Sequence, residues 1–235
     1  MVRMAGKNKN TLKYIDDSKH LVSSEMFEAI KTAISHQSVS IEGYKLQMGD
    51  SQKLYDSLKS VEIENKSVLE VILEVVAENS DIKEEEIIMF CSNVIVQEES
   101  LKMIDNDITP DLVKKLHGML LLPESTKPRT GVNITYSNGE DFLVPPGNYR
   151  RIVVLPKGGF NTIYPFPDEI DENMRLLLED VNKTDSPLHH IIKALKFYVK
   201  FLHIHPFEDG NGRMGRILLA LLLNRQGLFP CISEV

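Results

Sequence analysis

His205-Pro206-Phe207-Glu208-Asp209-Gly210-Asn211-Gly212-Arg213-Met214-Gly215-Arg216 gathers the groups that phosphate-directed chemistry needs into one short stretch. Gly210 and Gly212 permit left-handed backbone, so that N–H groups can converge in a small concavity. The stretch leads into an apolar helix whose N-terminal amides and dipole favour an anion. Arg213 and Arg216 are three residues apart and share a face of that helix, and helical side chains lean toward the N-terminus. Two guanidinium forks thus reach back over the concavity, where polyphosphate oxygens match them. Asp209 alone would repel phosphate there, but it suits a Mg²⁺ lying between the two. His205 is the group suited to exchanging a proton near neutral pH. A base, a metal carboxylate and a phosphate cradle describe transfer of a nucleotidyl or phosphoryl group to a hydroxyl.

This stretch resembles the Fic family motif, His-Pro-Phe-x-(Asp/Glu)-Gly-Asn-Gly-Arg-x-x-Arg, with every fixed position filled. Similarity extends through Leu116-His117, Gly147-Asn148-Tyr149-Arg150 and Met174, covering roughly Ile108 to Leu223. The resemblance implies a protein adenylyltransferase that transfers AMP from ATP, with Mg²⁺ or Mn²⁺, to a Ser, Thr or Tyr hydroxyl of a target protein. In such an enzyme His205 is the general base and Asp209 holds the metal. Phe207, Gly210, Asn211, Gly212, Arg213 and Arg216 bind the nucleotide, Arg213 on the triphosphate tail and Arg216 orienting the γ-phosphate. The family's target-binding flap corresponds to Ile152, Val153, Val154 and Leu155 followed by Asn161, Thr162, Ile163 and Tyr164, which would capture a target backbone by strand addition. Removal of AMP by the same site, transfer of another nucleotidyl or phosphoryl group, and a non-catalytic nucleotide sensor are the alternatives. Tyr198 stands where many members carry histidine, and Leu202-His203 where many have Glu-Thr. The adenine side is expected to be truncated or built differently, since Val235 follows soon after the motif helix.

Ser38-Val39-Ser40-Ile41-Glu42-Gly43 matches the family's inhibitory pattern, (Ser/Thr)-x-x-x-Glu-(Gly/Asn). Average composition gives so loose a pattern to roughly one chain in five of this length, and position gives it weight. It closes an amphipathic helix with Met26, Phe27, Ile30, Ala33 and Ile34 at helical spacing. Ser38 and Glu42 share one face. From there Glu42 is expected to pair with Arg216 and occupy the place of the γ-phosphate, so that Ser38, Glu42 and Gly43 form an in-chain inhibitor.

The elements that must position these groups read as all-α: a Fic-type helical bundle with one β-hairpin flap. Helices are predicted from about 23 to 43, 67 to 78, 87 to 104, from Pro110 onward, and over 169–180, 188–201 and 213–224. Ile152–Leu155 and Phe160–Tyr164, joined through Pro156-Lys157-Gly158-Gly159, read as the hairpin. The division expected is a flexible segment over 1–22, a helical region with the inhibitory helix over 23–107, and a catalytic core over 108–235. His117 reads as a structural histidine, His189-His190 as a polar helix face, and Arg150-Arg151 as flap support or surface. A net charge of −7 disfavours a direct nucleic-acid role. The longest apolar run, Ile217–Leu223, is too short to span a membrane. Cys91 and Cys231 form neither a metal spacing nor a disulfide framework. A cytoplasmic location is expected, with ATP and a hydroxyl-bearing target as partners, and self-assembly into a homo-oligomer left open.

Overall fold

The computed structural model describes residues 11, 13, 15–17, 23–62, 65–125, 144–154 and 163–228. Its helices are α1 (Ser24–Ile41), α2 (Met48–Ser60), α3 (Val68–Glu78), α4 (Glu84–Leu101), α5 (Pro110–Ser125), α6 (Ile170–Asn182), α7 (His190–Ile204) and α8 (Asn211–Asn224). A short 3₁₀ turn, Pro167–Glu169, precedes α6. None of the described residues is in a strand. The all-α expectation holds, but a paired hairpin is not shown. Ile152, Val153, Val154, Ile163 and Tyr164 are irregular, and Leu155, Asn161 and Thr162 lie outside the described residues.

Helix starts follow from local chemistry. Ser23 Oγ accepts the Met26 N–H at 3.2 Å. Ser67 and Glu70 form a reciprocal capping box, at 2.7 and 3.3 Å. Thr109 Oγ1 accepts the Leu112 N–H at 3.1 Å, with Pro110 in the first helical position where its missing N–H costs nothing. Several elements differ from expectation: the helix expected over 87–104 spans Glu84–Leu101, and the one expected over 188–201 spans His190–Ile204. Residues 48–60 are helical although the segment is mostly polar, with Ser51, Leu54, Tyr55 and Leu58 as its buried face. The final helix starts at Asn211 instead of Arg213, because Gly210 caps it in the left-handed region, φ 73°.

Two apolar cores lie side by side. One is built from Val39 of α1 and from α2, α3 and the first half of α4. The other joins Val96 of α4 to α5 through α8, with Leu116, Met174, Phe197, Phe207 and Leu218 inside it. α4 therefore packs against α1, α2, α3, α5 and α8. That position explains why its buried residues, from Ile87 to Ser100, cover most of its circumference instead of one stripe. It also sets the end of α1 beside the start of α8. Polar contacts fix α1 to α4: Lys31 to Glu98 at 3.1 Å, Ser35 to Gln97 at 3.2 Å and Asn93 to Ser38 at 3.3 Å.

Candidate active site

α7 ends at Ile204, and His205 closes it as a left-handed cap at φ 51°, ψ 58°, its N–H donating to the Phe201 carbonyl at 3.0 Å. A non-glycine residue in that region is uncommon and marks a constrained position. The imidazole stacks on the Tyr164 ring at 4.3 Å and 15°. Burial lowers its pKa below the ordinary imidazole range. The nearby Leu202 backbone opposes that, the Arg150 charge lowers it further, and Asp209 raises it. The balance favours a neutral ring. A neutral imidazole has one unprotonated nitrogen, which can accept a proton.

Beyond His205 the loop is fixed from both sides. Phe207 N–H donates to Asn211 Oδ1 at 2.9 Å, and Asn211 Nδ2 returns a bond to the Phe207 carbonyl at 2.8 Å. The Asn211 carboxamide is thereby used inside the loop, which leaves its backbone N–H for an anion. Phe207 is fully buried and stacks on His117 at 3.6 Å and 5°. The ring anchors the loop in the core. His117 Nδ1 accepts the Gly147 N–H at 2.9 Å, so the ring proton is on Nε2, which donates to the Asp209 carbonyl at 3.0 Å. The structural reading of His117 holds.

At the start of α8, the amides of Asn211, Gly212 and Arg213 have no intrahelical acceptor. Asp209 Oδ1 accepts the Gly210 N–H at 2.7 Å, and Oδ2 lies 3.8 Å from Arg213 Nη2. The Asp209 side chain is 55% exposed, an open carboxylate next to the anion-favouring amides. Arg213 is buried, its Nη1 3.0 Å from Met89 Sδ of α4. Arg216 donates through Nε to Ser38 Oγ at 2.8 Å, and through Nη2 to the Ser38 carbonyl at 3.1 Å and to Glu42 Oε1 at 2.7 Å. A Cβ on Gly212 would come within 3.2 Å of both Arg216 Nη1 and Glu42 Oε1. Glycine lets that ion pair lie directly over the first turn. Gly43 turns the chain away after Glu42 at φ 95°.

Ser38, Glu42, Arg213, Arg216 and Asp209 thus converge on one helix end, with His205 at the other side of the loop. Among the expected flap residues, Tyr164 reaches His205, whereas Val153 and Ile163 are exposed. Sequence reasoning did not single out Met89 or Asn93, and it left Arg150 open between flap support and surface. Arg150 looks like its neighbour Arg151 in the sequence, yet Arg150 is buried and Arg151 exposed. Cys91 is buried, and burial pushes its thiol up to about 12. His189 and His190 face Asp16 at 2.9 and 3.1 Å. His189 Nδ1 accepts the Ile191 N–H at 3.3 Å, which places its proton on Nε2, toward the carboxylate and away from metal ligation. No described helix is long and apolar enough to cross a membrane.

A histidine-capped helix followed by a glycine-rich anion cradle, all within a helical bundle, defines the class of fold. Residues 107–223 match the Fic/DOC family, and this part of the chain is a Fic domain. The chain is 37% identical over 89 residues to the protein adenylyltransferase Fic of Aedes aegypti, which is 37% of this chain and 17% of that protein. It is 38% identical over 92 residues to the same-named protein of Culex quinquefasciatus, covering 39% and 18%. The matched region therefore spans less than a fifth of either relative. In fold, the chain is similar to a Fic domain containing signaling protein from Bacteroides thetaiotaomicron, with TM-score 0.63, 19% identity, and 92% of this chain and 72% of that one covered. It is also similar to residues 134–508 of Fic-1 from C. elegans, with TM-score 0.62, 20% identity, and 97% and 61% covered.

Proposed function

We propose that this chain is a protein adenylyltransferase whose own first helix holds it inhibited. The observation that carries the reading is the Arg216–Glu42 ion pair, seated over the first turn of α8 in a loop whose every Fic motif position is filled. In this reading residues 23–107 carry the inhibitory helix and 108–235 the catalytic core. Names borne by relatives support the activity: two mosquito proteins that share this domain are called protein adenylyltransferases.

The chemistry assigned to the chain's residues balances as follows. The unprotonated nitrogen of His205 takes the proton of a target Ser, Thr or Tyr hydroxyl. The oxygen forms a bond to the α-phosphorus of ATP as the α–β phosphoanhydride bond breaks, and pyrophosphate leaves. The first amides of α8 stabilise charge on the phosphate oxygens, while Arg213 and Arg216 hold the outer phosphates. Asp209 fits a Mg²⁺ or Mn²⁺: its open carboxylate beside an anion cradle matches a hard cation that takes one or two carboxylates plus phosphate oxygens. When bound, such an ion neutralises phosphate charge.

Incubating a Glu42→Gly variant with ATP labelled at the α- or the γ-phosphate checks the reaction class. AMP transfer puts α-label, and no γ-label, on protein. Protein carrying γ-label alone would make this a phosphotransferase and end the adenylyltransferase reading. Arg213→Ala is expected to weaken ATP binding about tenfold or more while leaving AMP binding within a few-fold, because a charge-assisted contact to the outer phosphates is worth about 1.5–3 kcal/mol. Asp209→Ala should remove the Mg²⁺ dependence of ATP affinity. Titration calorimetry with both nucleotides, with and without Mg²⁺, measures each effect. Equal losses for ATP and AMP would remove Arg213 from the triphosphate.

A further inference from the structure

Arg150 is a buried arginine whose side-chain acceptors are all backbone carbonyls. It is 1% exposed. Its Nε donates to the His205 carbonyl at 2.7 Å, Nη1 to the Ile152 carbonyl at 2.7 Å, and Nη2 to the Pro165 carbonyl at 2.7 Å and the Ile204 carbonyl at 3.4 Å. Its own N–H donates to the Pro206 carbonyl at 2.9 Å. Ile204 and His205 lie at the C-terminal end of α7, where carbonyls lack helical partners and the dipole favours a cation. Ile152 and Pro165 stand on either side of the segment that the adenylyltransferase reading assigns to the flap, and are its stems in that reading. One planar fork, with donors at fixed angles, therefore spans both stems and the backbone of His205.

We propose that Arg150 is a positioning residue that locks the flap stems and the histidine loop into one unit, so that a target held by the flap meets His205 with its hydroxyl in reach. The proposal rests on the adenylyltransferase reading of this site. His205 sits in the left-handed region, and such conformations persist only where the surroundings over-determine them. The Arg150 bond to the His205 carbonyl acts at that residue. Tyr164, next to Pro165, stacks on the imidazole, so the stem that Arg150 holds is also the one that covers the ring. Any movement of the stems away from Arg150 would shift the docked backbone and the ring cover together. Lysine keeps the charge but offers one point of attachment, so the geometry assigns the work to the fork and not to the charge alone.

The test uses the full chain with Glu42→Gly as the active parent, and compares Arg150, Arg150→Lys and Arg150→Ala. AMP transfer from α-labelled ATP is followed onto a second copy of the chain carrying His205→Ala as acceptor. Both substitutions are expected to lower kcat about a hundredfold, the cost of roughly 1 Å of misplacement, with the KM for ATP within threefold of the parent. In parallel, NMR of ¹³C-histidine-labelled chain reads the ring-current shift that Tyr164 imposes on His205, identified by its loss in Tyr164→Leu. That shift should vanish in Arg150→Ala and weaken in Arg150→Lys. A purely structural arginine would lower the melting temperature but leave kcat and the His205 resonance of the folded protein unchanged, and that result overturns the proposal. So does a loss confined to the KM for ATP. If Arg150→Ala does not fold, Arg150→Lys decides on the same two readouts. A parent that transfers no AMP counts against the adenylyltransferase reading, and the NMR arm still decides the placement of Arg150.

Discussion

Replacing Glu42 with glycine is expected to raise AMP transfer, including self-modification, about ten- to a hundredfold. The carboxylate sits over the first turn of α8 and takes a bond from Arg216 Nη2 at 2.7 Å. On the proposed reading it occupies the charge environment that a terminal phosphate would need, and ATP bound beside it would not place its α-phosphate in line. A ten- to hundredfold change corresponds to about 1.4–2.7 kcal/mol, the range of one charge-assisted hydrogen bond. The gain is not expected to be larger, because Ser38 still holds Arg216 through its hydroxyl and its carbonyl. Glu42 lies at the helix cap next to Gly43, so a glycine there should cost only about 0.5–1 kcal/mol of stability. Glu42→Gln keeps an acceptor for Arg216 and should release less. Adding Arg216→Ala to Glu42→Gly should cancel the gain, since the freed guanidinium is what the nucleotide uses. Initial rates with α-labelled ATP measure all four proteins. Should Glu42→Gly match the parent, the in-chain inhibitor is abandoned.

His205→Ala in the Glu42→Gly background is expected to lose about 10²–10⁴ in transfer rate, the usual cost of a missing general base. ATP affinity should stay within a few-fold, because the cradle is made by α8 and its arginines. His205→Asn is the companion variant, as asparagine tolerates the left-handed conformation at φ 51° better than alanine. Both should lose activity alike if the imidazole does the work. The pH profile of the active parent follows from the direction of the His205 shift. A lowered pKa keeps the ring unprotonated at pH values where an ordinary histidine is charged, so the rate should fall only on the acid side of the ordinary imidazole range. Transfer by His205→Ala within tenfold of the parent would strip His205 of its role.

The His205–Arg216 loop was legible because its chemistry is local: glycines for tight backbone, arginines at helical spacing, a carboxylate and a histidine together. The Glu42–Arg216 contact links residues 174 positions apart, yet it was expected from a pattern closing an amphipathic helix. Other parts were hidden for physical reasons. Residues 48–60 show too few apolar positions for a periodicity, so their helix depends on packing of Leu54, Tyr55 and Leu58 against neighbouring helices. The burial of Arg150 and of Phe207 was not legible, because burial is a property of the fold and not of the residue type. Met89, beside Arg213, sits in an apolar stretch with nothing to separate it from core packing.

α4 lends one side to each of the two cores, and this limits how the chain can be switched on. Removing the helices before it would leave Ile87, Ile88, Phe90 and Val94 facing water, along with the wall that supports α8. Residues before α4 are therefore not a cap that can be cut away to leave a sound bundle. They and the Fic domain should melt in a single cooperative transition, and on the proposed self-inhibited reading an activator would act on the last turn of α1 while the rest of that helix stays in place.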